Sequence, residues 1–342
     1  VSCALVVGSG SAGRRHAAAL LARESGRRVL VVRRPDSTTP VEPLHALGVE
    51  VLPSLQQALE HEPTLAVVAS PAPWHAHAAT TLLDAGCCVM VEKPVVASLQ
   101  AESTRRLRAH PHARDRLLVG YHLRFGDVLP RVAGWIRSGA IGSPLAARFT
   151  VGQHLGSWRP GTDADRGVSA RAELGGGVLL ELSHELDALT AVLDEPITVV
   201  AGCELRRDGA PTDGVVETVA DLELRLRSGT RCSVHLDMTS RTPVRRWAIK
   251  GTEGTIDADL LTSRVELRRP DSAVDARSFP DGERDRAGRR LIAHLEDLAV
   301  QGVAPGCGID DGLATVAVVE AARRSAAEAC TIDVDRADRS AA

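Results

Sequence analysis

Apolar residues in the first third of the chain fall in short blocks, each closed by glycine, proline or charge. Residues 3–7, 29–32, 49–52, 65–69 and 88–92 read as strands. Their near-continuous apolar character suits strands covered on both faces. Between them, residues 14–22, 55–61 and 75–85 carry helical spacing. Alternation of buried strands with helices predicts a doubly wound parallel sheet. Beyond Gly120 the pattern changes. Residues 129–138 predict a helix that ends at Gly139, and strand-like runs follow at 145–151, 197–205, 215–226, 231–238, 247–249 and 265–267. Strands in succession predict a mostly antiparallel open sheet. Residues 291–300 and 312–327 predict helices, and 335–342 a loose polar tail. The expected architecture is α/β: a nucleotide-binding domain over 1–121, then an α+β domain over 122–342 that ends in helices. There is no internal repeat and no long linker.

Composition narrows the function. The 342 residues are 44% hydrophobic and 25% charged, close to an ordinary globular protein, so a substantial core is expected. Aromatics are only 2%, so that core must be largely aliphatic. A net charge of −3, with no basic block and few rings to stack on bases, argues against nucleic acid as a partner. No apolar run approaches membrane length and no signal peptide is visible. The seven cysteines form no C-x-x-C pair, which points to small buried hydrophobes in a reducing cytoplasm. The twelve histidines include no H-x-x-x-H pair, and no metal is expected.

The first candidate for chemistry is Gly8-Ser9-Gly10-Ser11-Ala12-Gly13, placed between a strand and a helix. In that context G-x-G-x-x-G is a dinucleotide-binding fingerprint: the glycines permit a tight turn, close approach of a pyrophosphate and close helix–strand packing. The helix N-terminus faces the anion, and Ser11 in the turn is a further cofactor-binding candidate. Arg14-Arg15 stand where a P-loop would need Lys and Ser/Thr. About 20 residues further on, where an acidic residue would hold the ribose of NAD, stand Arg33 and Arg34. Guanidinium groups suit a 2′-phosphate, so NADP is the preferred cofactor, with NAD the other. Solvated arginines, or arginines stacked on an adenine, are the alternative.

Two further stretches belong at the carboxyl ends of parallel strands, where ligands of such sheets bind. They are Ser70-Pro71-Ala72, with His75 close behind, and Glu92-Lys93-Pro94. Only two lysines occur in the chain, Lys93 and Lys250, against an abundance of arginine. Lysine offers a compact charge whose pKa shifts with its surroundings, which arginine does not.

These motifs resemble those of the glucose–fructose oxidoreductase / inositol dehydrogenase (Gfo/Idh/MocA) family. The resemblance rests on the glycine turn, Ser70-Pro71-x-x-x-His75, Glu92-Lys93-Pro94, Val119-Gly120-Tyr121-x-x-Arg124-Phe125, Gly175-Gly176-Gly177 through His184, and Gly251-Thr252-Glu253-Gly254. It runs nearly end to end, and E-K-P after a strand is its specific part. The resemblance implies a Rossmann domain, then an open sheet with one face over the cofactor site and the other often making a dimer or tetramer interface. It implies hydride transfer between a nicotinamide and a hydroxyl or keto carbon of a sugar, an inositol or a related derivative. Lys93 matches the family's catalytic lysine, His184 its histidine and Glu181 its acidic residue, usually aspartate. Here the histidine follows the acid by three residues instead of four, so Asp187 competes with Glu181 as its partner.

Leu182, Leu186, Leu189 and Leu193 form one apolar stripe at helical spacing. His184 lies opposite it, on a side that faces water unless something covers it. A structural pairing with Glu181 or Asp187 is the plainer reading of that histidine. Tyr121, Arg124, Trp158 and Arg159 are weaker substrate-binding candidates. A redox-neutral epimerase or glycosidase with tightly bound NAD, and a nicotinamide-binding regulator without catalysis, are the alternative functions.

Overall fold

The computed structural model describes residues 3–158, 167–207, 216–270 and 272–334. Arg159 and the tail 335–342 lie outside the described residues, as does the first residue of the strand expected from 215. The chain forms two compact units. One is Val1–His122 with Gly288–Leu313, the other Leu123–Ala287 with Ala314–Ala342. Residues 288–313, which the sequence reading places in the second domain, thus cluster with the first unit.

The first unit contains β1 (Cys3–Val7), α1 (Ser11–Arg23), β2 (Arg28–Val32), α2 (Glu42–His45), β3 (Glu50–Leu52), α3 (Leu55–Leu59) and β4 (Leu65–Val68). It continues with α4 (His75–Asp84), β5 (Cys88–Val91), α5 (Glu102–Ala109), α6 (Ala113–Arg116) and β6 (Leu117–Val119). All pairs are parallel, and the strand order is β3-β2-β1-β4-β5-β6. The order reverses between β1 and β4, which makes the crevice beyond their carboxyl ends the binding crevice of such a sheet. Every residue of β4 and β5 is buried, which explains their unbroken apolar sequence. The returning segment is bonded to this unit. Arg23 donates to Glu296 at 2.7 Å, and the Val119 N–H donates to the Cys307 carbonyl at 2.8 Å.

The second unit opens with α7 (Val128–Arg137), β7 (Pro144–Gly152), α8 (Val178–Glu181) and α9 (His184–Leu193). Then come β8 (Ile197–Arg206), β9 (Val219–Leu226), β10 (Arg231–Asp237), β11 (Val244–Gly251), β12 (Thr255–Asp259), β13 (Arg264–Arg268) and β14 (Asp275–Ser278). The chain ends with α10 (Glu283–Gln301), α11 (Ile309–Glu328) and β15 (Ile332–Asp333). The nine strands run in the order β14-β13-β12-β11-β7-β10-β9-β8-β15, antiparallel except for β7 with β10. Strict alternation along β9 buries Val219, Ala220, Leu222, Leu224 and Leu226 and exposes Asp221, Glu223 and Arg225. Register then aligns Leu222, Val234, Phe149, Trp247, Ala258 and Val265 across six strands of the buried face. Phe149 and Trp247 stack there at 4.8 Å, within this core row. Helices α7, α8 and α9 pack on this sheet.

All seven cysteines are free thiols, and burial pushes those of Cys203 and Cys232 up to about 12. Among the described residues, no helix is long and apolar enough to cross a membrane, and no group of three or more His, Cys, Asp or Glu could hold a metal.

Candidate active site

The glycine turn follows β1 directly. Gly8 has φ +121°, a backbone that L side chains rarely adopt, and an added Cβ would meet the Ala69 carbonyl at 2.6 Å. This is the close approach of the turns after β1 and β4. At Gly13 an added Cβ would lie 1.9 Å from the Gly8 carbonyl oxygen. Gly10, in contrast, has nothing within 4 Å of its missing Cβ. Gly10 is also the N-cap of α1, with no side-chain cap and no acidic residue in the first turn. The first N–H groups of this 13-residue helix therefore face an open cradle with the positive end of the helix dipole. Ser70 Oγ, at the end of β4, is a buried hydroxyl with no hydrogen-bond partner among the described residues. An open glycine cradle, uncapped amides and an unpartnered hydroxyl beside the switch point fit a dinucleotide.

Gly13→Ala is expected to cost about 1–3 kcal/mol of stability, because the Gly8 carbonyl must move. The same movement distorts the cradle, so NADH affinity should fall more than about tenfold. Thermal melting and an NADH fluorescence titration check both; a variant that binds NADH as the wild type does would show that the turn is not the cradle.

Lys93 follows β5 at the carboxyl edge of the same sheet, and its peptide bond to Pro94 is cis. Two histidines frame it. His75 is 1% exposed, with Nδ1 2.8 Å from the Pro94 carbonyl and Nε2 2.6 Å from the Ser70 carbonyl. Burial lowers its pKa more than the two carbonyls and Glu92 raise it. The ring is then neutral and donates to one carbonyl at a time. Enclosed in this way, His75 links two loops and is not a surface group. The second histidine, His16, was not among the expected site residues. Its Nε2 lies 2.6 Å from Glu92 Oε1. Burial pushes the Glu92 carboxyl up, but the bond and charge of His16, with the charges of Arg15 and Lys93, hold it well below the usual carboxylate range. The signal for His16 was its place on the buried Gly13, His16, Ala17, Leu20 face of α1.

The two arginines after β2 behave differently. Arg33 donates to the carbonyls of Ser37 and Thr39, so its guanidinium is held by its own loop and is not presented to a 2′-phosphate. Arg34 lies 4.3 Å over the Trp74 ring and 3.3 Å from Asp36, with half its side chain exposed.

In the second unit the leucine stripe expected at helical spacing falls on α9 from Leu186 onward, while Leu182 lies just before that helix. Helix α8 ends at Glu181, α9 begins at His184, and Ser183 Oγ between them donates to the Leu180 carbonyl. Glu181 is half-buried at the end of α8. His184 does not face water; it is buried, with Glu185 and Asp187 of the same turn almost wholly enclosed. Each of these carboxylates meets an arginine. Arg245 donates to Glu185 at 2.6 and 3.1 Å, and Arg124 donates to Asp187 at 2.7 and 3.1 Å. Arg124 is therefore engaged with Asp187, the residue expected to compete for His184. Arg124→Leu would leave a carboxylate in a 1% exposed site and should cost about 3–5 kcal/mol, read as a drop in chemical-denaturation midpoint. An unchanged midpoint would mean that the pair does not hold the turn. Tyr121 is fully buried, and the Trp158 indole N–H donates to the Gln153 carbonyl at 3.0 Å.

Residues 3–121 match the family model described as oxidoreductase family, NAD-binding Rossmann fold, and residues 130–257 match the GFO/IDH/MocA C-terminal domain. The chain belongs to the Gfo/Idh/MocA family. Relatives in sequence include an inositol 2-dehydrogenase of Mycolicibacterium gilvum, 26% identical over 97% of this chain and 93% of that protein. A D-apiose dehydrogenase of Rhizobium rhizogenes is 27% identical over 71% of each chain. In structure, levoglucosan dehydrogenase in complex with NADH and levoglucosan superposes with a TM-score of 0.80 at 17% identity, covering 97% of this chain and 99% of that one. Levoglucosan dehydrogenase therefore shares the fold along nearly its whole length.

Proposed function

We propose that this Gfo/Idh/MocA protein is a nicotinamide-dependent dehydrogenase acting on a CH–OH group of a neutral sugar, an inositol or a close derivative. The observation that carries this reading is the placement of Lys93 at the carboxyl edge of the sheet whose β1–β4 switch point bears the glycine cradle. The dehydrogenases of inositol and apiose among its relatives support a polyhydroxylated substrate.

The bound nicotinamide supplies the hydride acceptor. Gly8, Gly10 and Gly13 would shape the turn and the first amides of α1, that of Ser11 among them, would receive the pyrophosphate, while Ser70, Pro71 and Glu92 would line or brace the crevice. Lys93 donates a hydrogen bond from Nζ to the substrate oxygen and stabilises the negative charge that develops there. His184 takes the hydroxyl proton in oxidation and returns it in reduction. Glu181 is the acidic partner proposed for this histidine. Asp187 serves the turn through Arg124, so its effect on His184 is one of placement. The chain works in the cytoplasm as a dimer or tetramer, a reading that rests on its cysteine usage and on the interface that the open sheet of this family often makes.

NADPH is the preferred cofactor, and Arg34 is the residue that distinguishes it. With Arg33 held by its loop, the exposed Arg34 guanidinium over Trp74 is the cation left to meet a 2′-phosphate. Arg34→Ala should weaken NADPH about tenfold and leave NADH nearly unchanged, as a charge-assisted contact predicts. Equal losses for both cofactors in a fluorescence titration would instead mark Arg34 as an adenine platform.

A further inference from the structure

We propose that His16 and Glu92 are positioning residues that tie the first turns of α1 to Lys93, so that a dinucleotide seated on α1 sets the place of the lysine. This rests on the reading of the glycine turn as the cradle and of Lys93 as the catalytic lysine. One carboxylate makes both connections. Glu92 Oε1 accepts from His16 Nε2 at 2.6 Å and is approached by Arg15 at 3.4 Å. Glu92 Oε2 accepts the backbone N–H of Lys93 at 3.2 Å. The helix holds one oxygen and the lysine the other.

The geometry is enclosed. The His16 side chain is 4% exposed and that of Glu92 14%, so packing fixes both, unlike the partners of a solvated ion pair. The charged groups around Glu92 are His16 and Arg15 from α1 and the neighbouring Lys93. They keep it a carboxylate through the working pH range, able to accept at both oxygens. The opposite side of the segment is held by His75 through the Pro94 carbonyl. Lys93 thus stands between a fixed strut and a strut that moves with α1. His16 lies one turn beyond the first-turn amides that face the cradle, on the same rigid helix. A displacement of that turn on binding the pyrophosphate is carried through His16 and Glu92 to the Lys93 amide.

The two-lysine composition supplies a probe that needs no substrate. Reductive dimethylation with 13C-formaldehyde labels Lys93, Lys250 and the N-terminal amine and keeps their charge. Lys250 is exposed on β11 and serves as the internal control; Lys250→Arg and Lys93→Arg assign the two lysine NMR signals, and the signal common to both variants is the N-terminal one. The expected result is a Lys93 signal that shifts when NADH is added to the wild-type protein. In His16→Leu that signal should already be displaced without NADH, and its response to NADH should be lost, while the NADH Kd changes less than about fivefold. His16→Gln, which keeps an N–H donor towards Glu92, should restore both, and Lys250 should stay constant. A His16→Leu protein whose Lys93 signal matches the wild type with and without NADH overturns the proposal. If that variant does not fold, Glu92→Gln, which removes one accepting oxygen, decides by the same signal. Failure of NADH to bind the wild type would overturn the cradle reading and with it the coupling to cofactor. A Lys93 signal displaced in cofactor-free His16→Leu would then still support the brace.

Discussion

Lys93→Arg lowers kcat by about 10²–10³-fold, the loss that follows removal of a donor aimed at a developing oxyanion. The NADH Kd should stay within about twofold, because the side chain is not part of the glycine cradle. Charge is conserved in this substitution, so the loss comes from shape. A lysine ends in one compact ammonium, while a guanidinium is a planar fork that projects its donors further and cannot release a proton. The backbone at this position is held by Glu92 Oε2, so it cannot retreat to make room. Intact melting behaviour with lost turnover identifies a chemical role. Turnover within about twofold of the wild type would remove Lys93 from the mechanism.

His184→Asn lowers kcat by about 10²–10⁴-fold, the usual contribution of a positioned acid–base group. Asparagine retains a polar side chain of similar reach but does not exchange a proton in the working range. The turn that carries it should survive, since Arg245 and Arg124 still hold Glu185 and Asp187 on either side. The KM for substrate should change far less than kcat, because the interaction is made in the transition state. Steady-state kinetics beside a melting curve check this. A variant with normal kcat would leave His184 as a buried structural histidine, the plainer of the two sequence readings.

The strands of the first unit were legible because a parallel sheet is covered on both faces and writes itself as apolar runs, as in Leu65–Val68 and Cys88–Val91. Leu117–Val119 escaped although fully buried, because three residues are too few to stand out as a run; two longer strands escaped because they have little to bury. Thr255–Asp259 buries only Ile256 and Ala258, and Asp275–Ser278 buries nothing fully. Helix α5 escaped because Glu102–Ala109 is almost wholly charged or polar, with only Thr104 and Leu107 buried. The parallel pairing of β7 with β10 leaves no trace in alternation, which is the same for either direction. At the site, the glycine turn and E-K-P were legible because their chemistry is local. His16 was not, since its partner Glu92 lies 76 residues away and only folding brings them together. The capture of Arg124 by Asp187, 63 residues on, is likewise a tertiary event. Arg33 and Arg34 looked equivalent, and the loop over 37–39 separates them by giving Arg33 two carbonyls to bond.

The most direct measurement of hydride transfer is the formation of reduced nicotinamide. The purified chain would be mixed with NAD⁺ or NADP⁺ and, in turn, with myo-inositol and a panel of neutral aldoses and anhydrosugars. Reduced cofactor should accumulate with at least one of these, and Lys93→Arg should slow its formation about 10²–10³-fold while still binding the cofactor. Tight binding of NADH or NADPH with no reduction by any member of the panel would contradict this, and would turn attention to a redox-neutral cycle or to nicotinamide sensing.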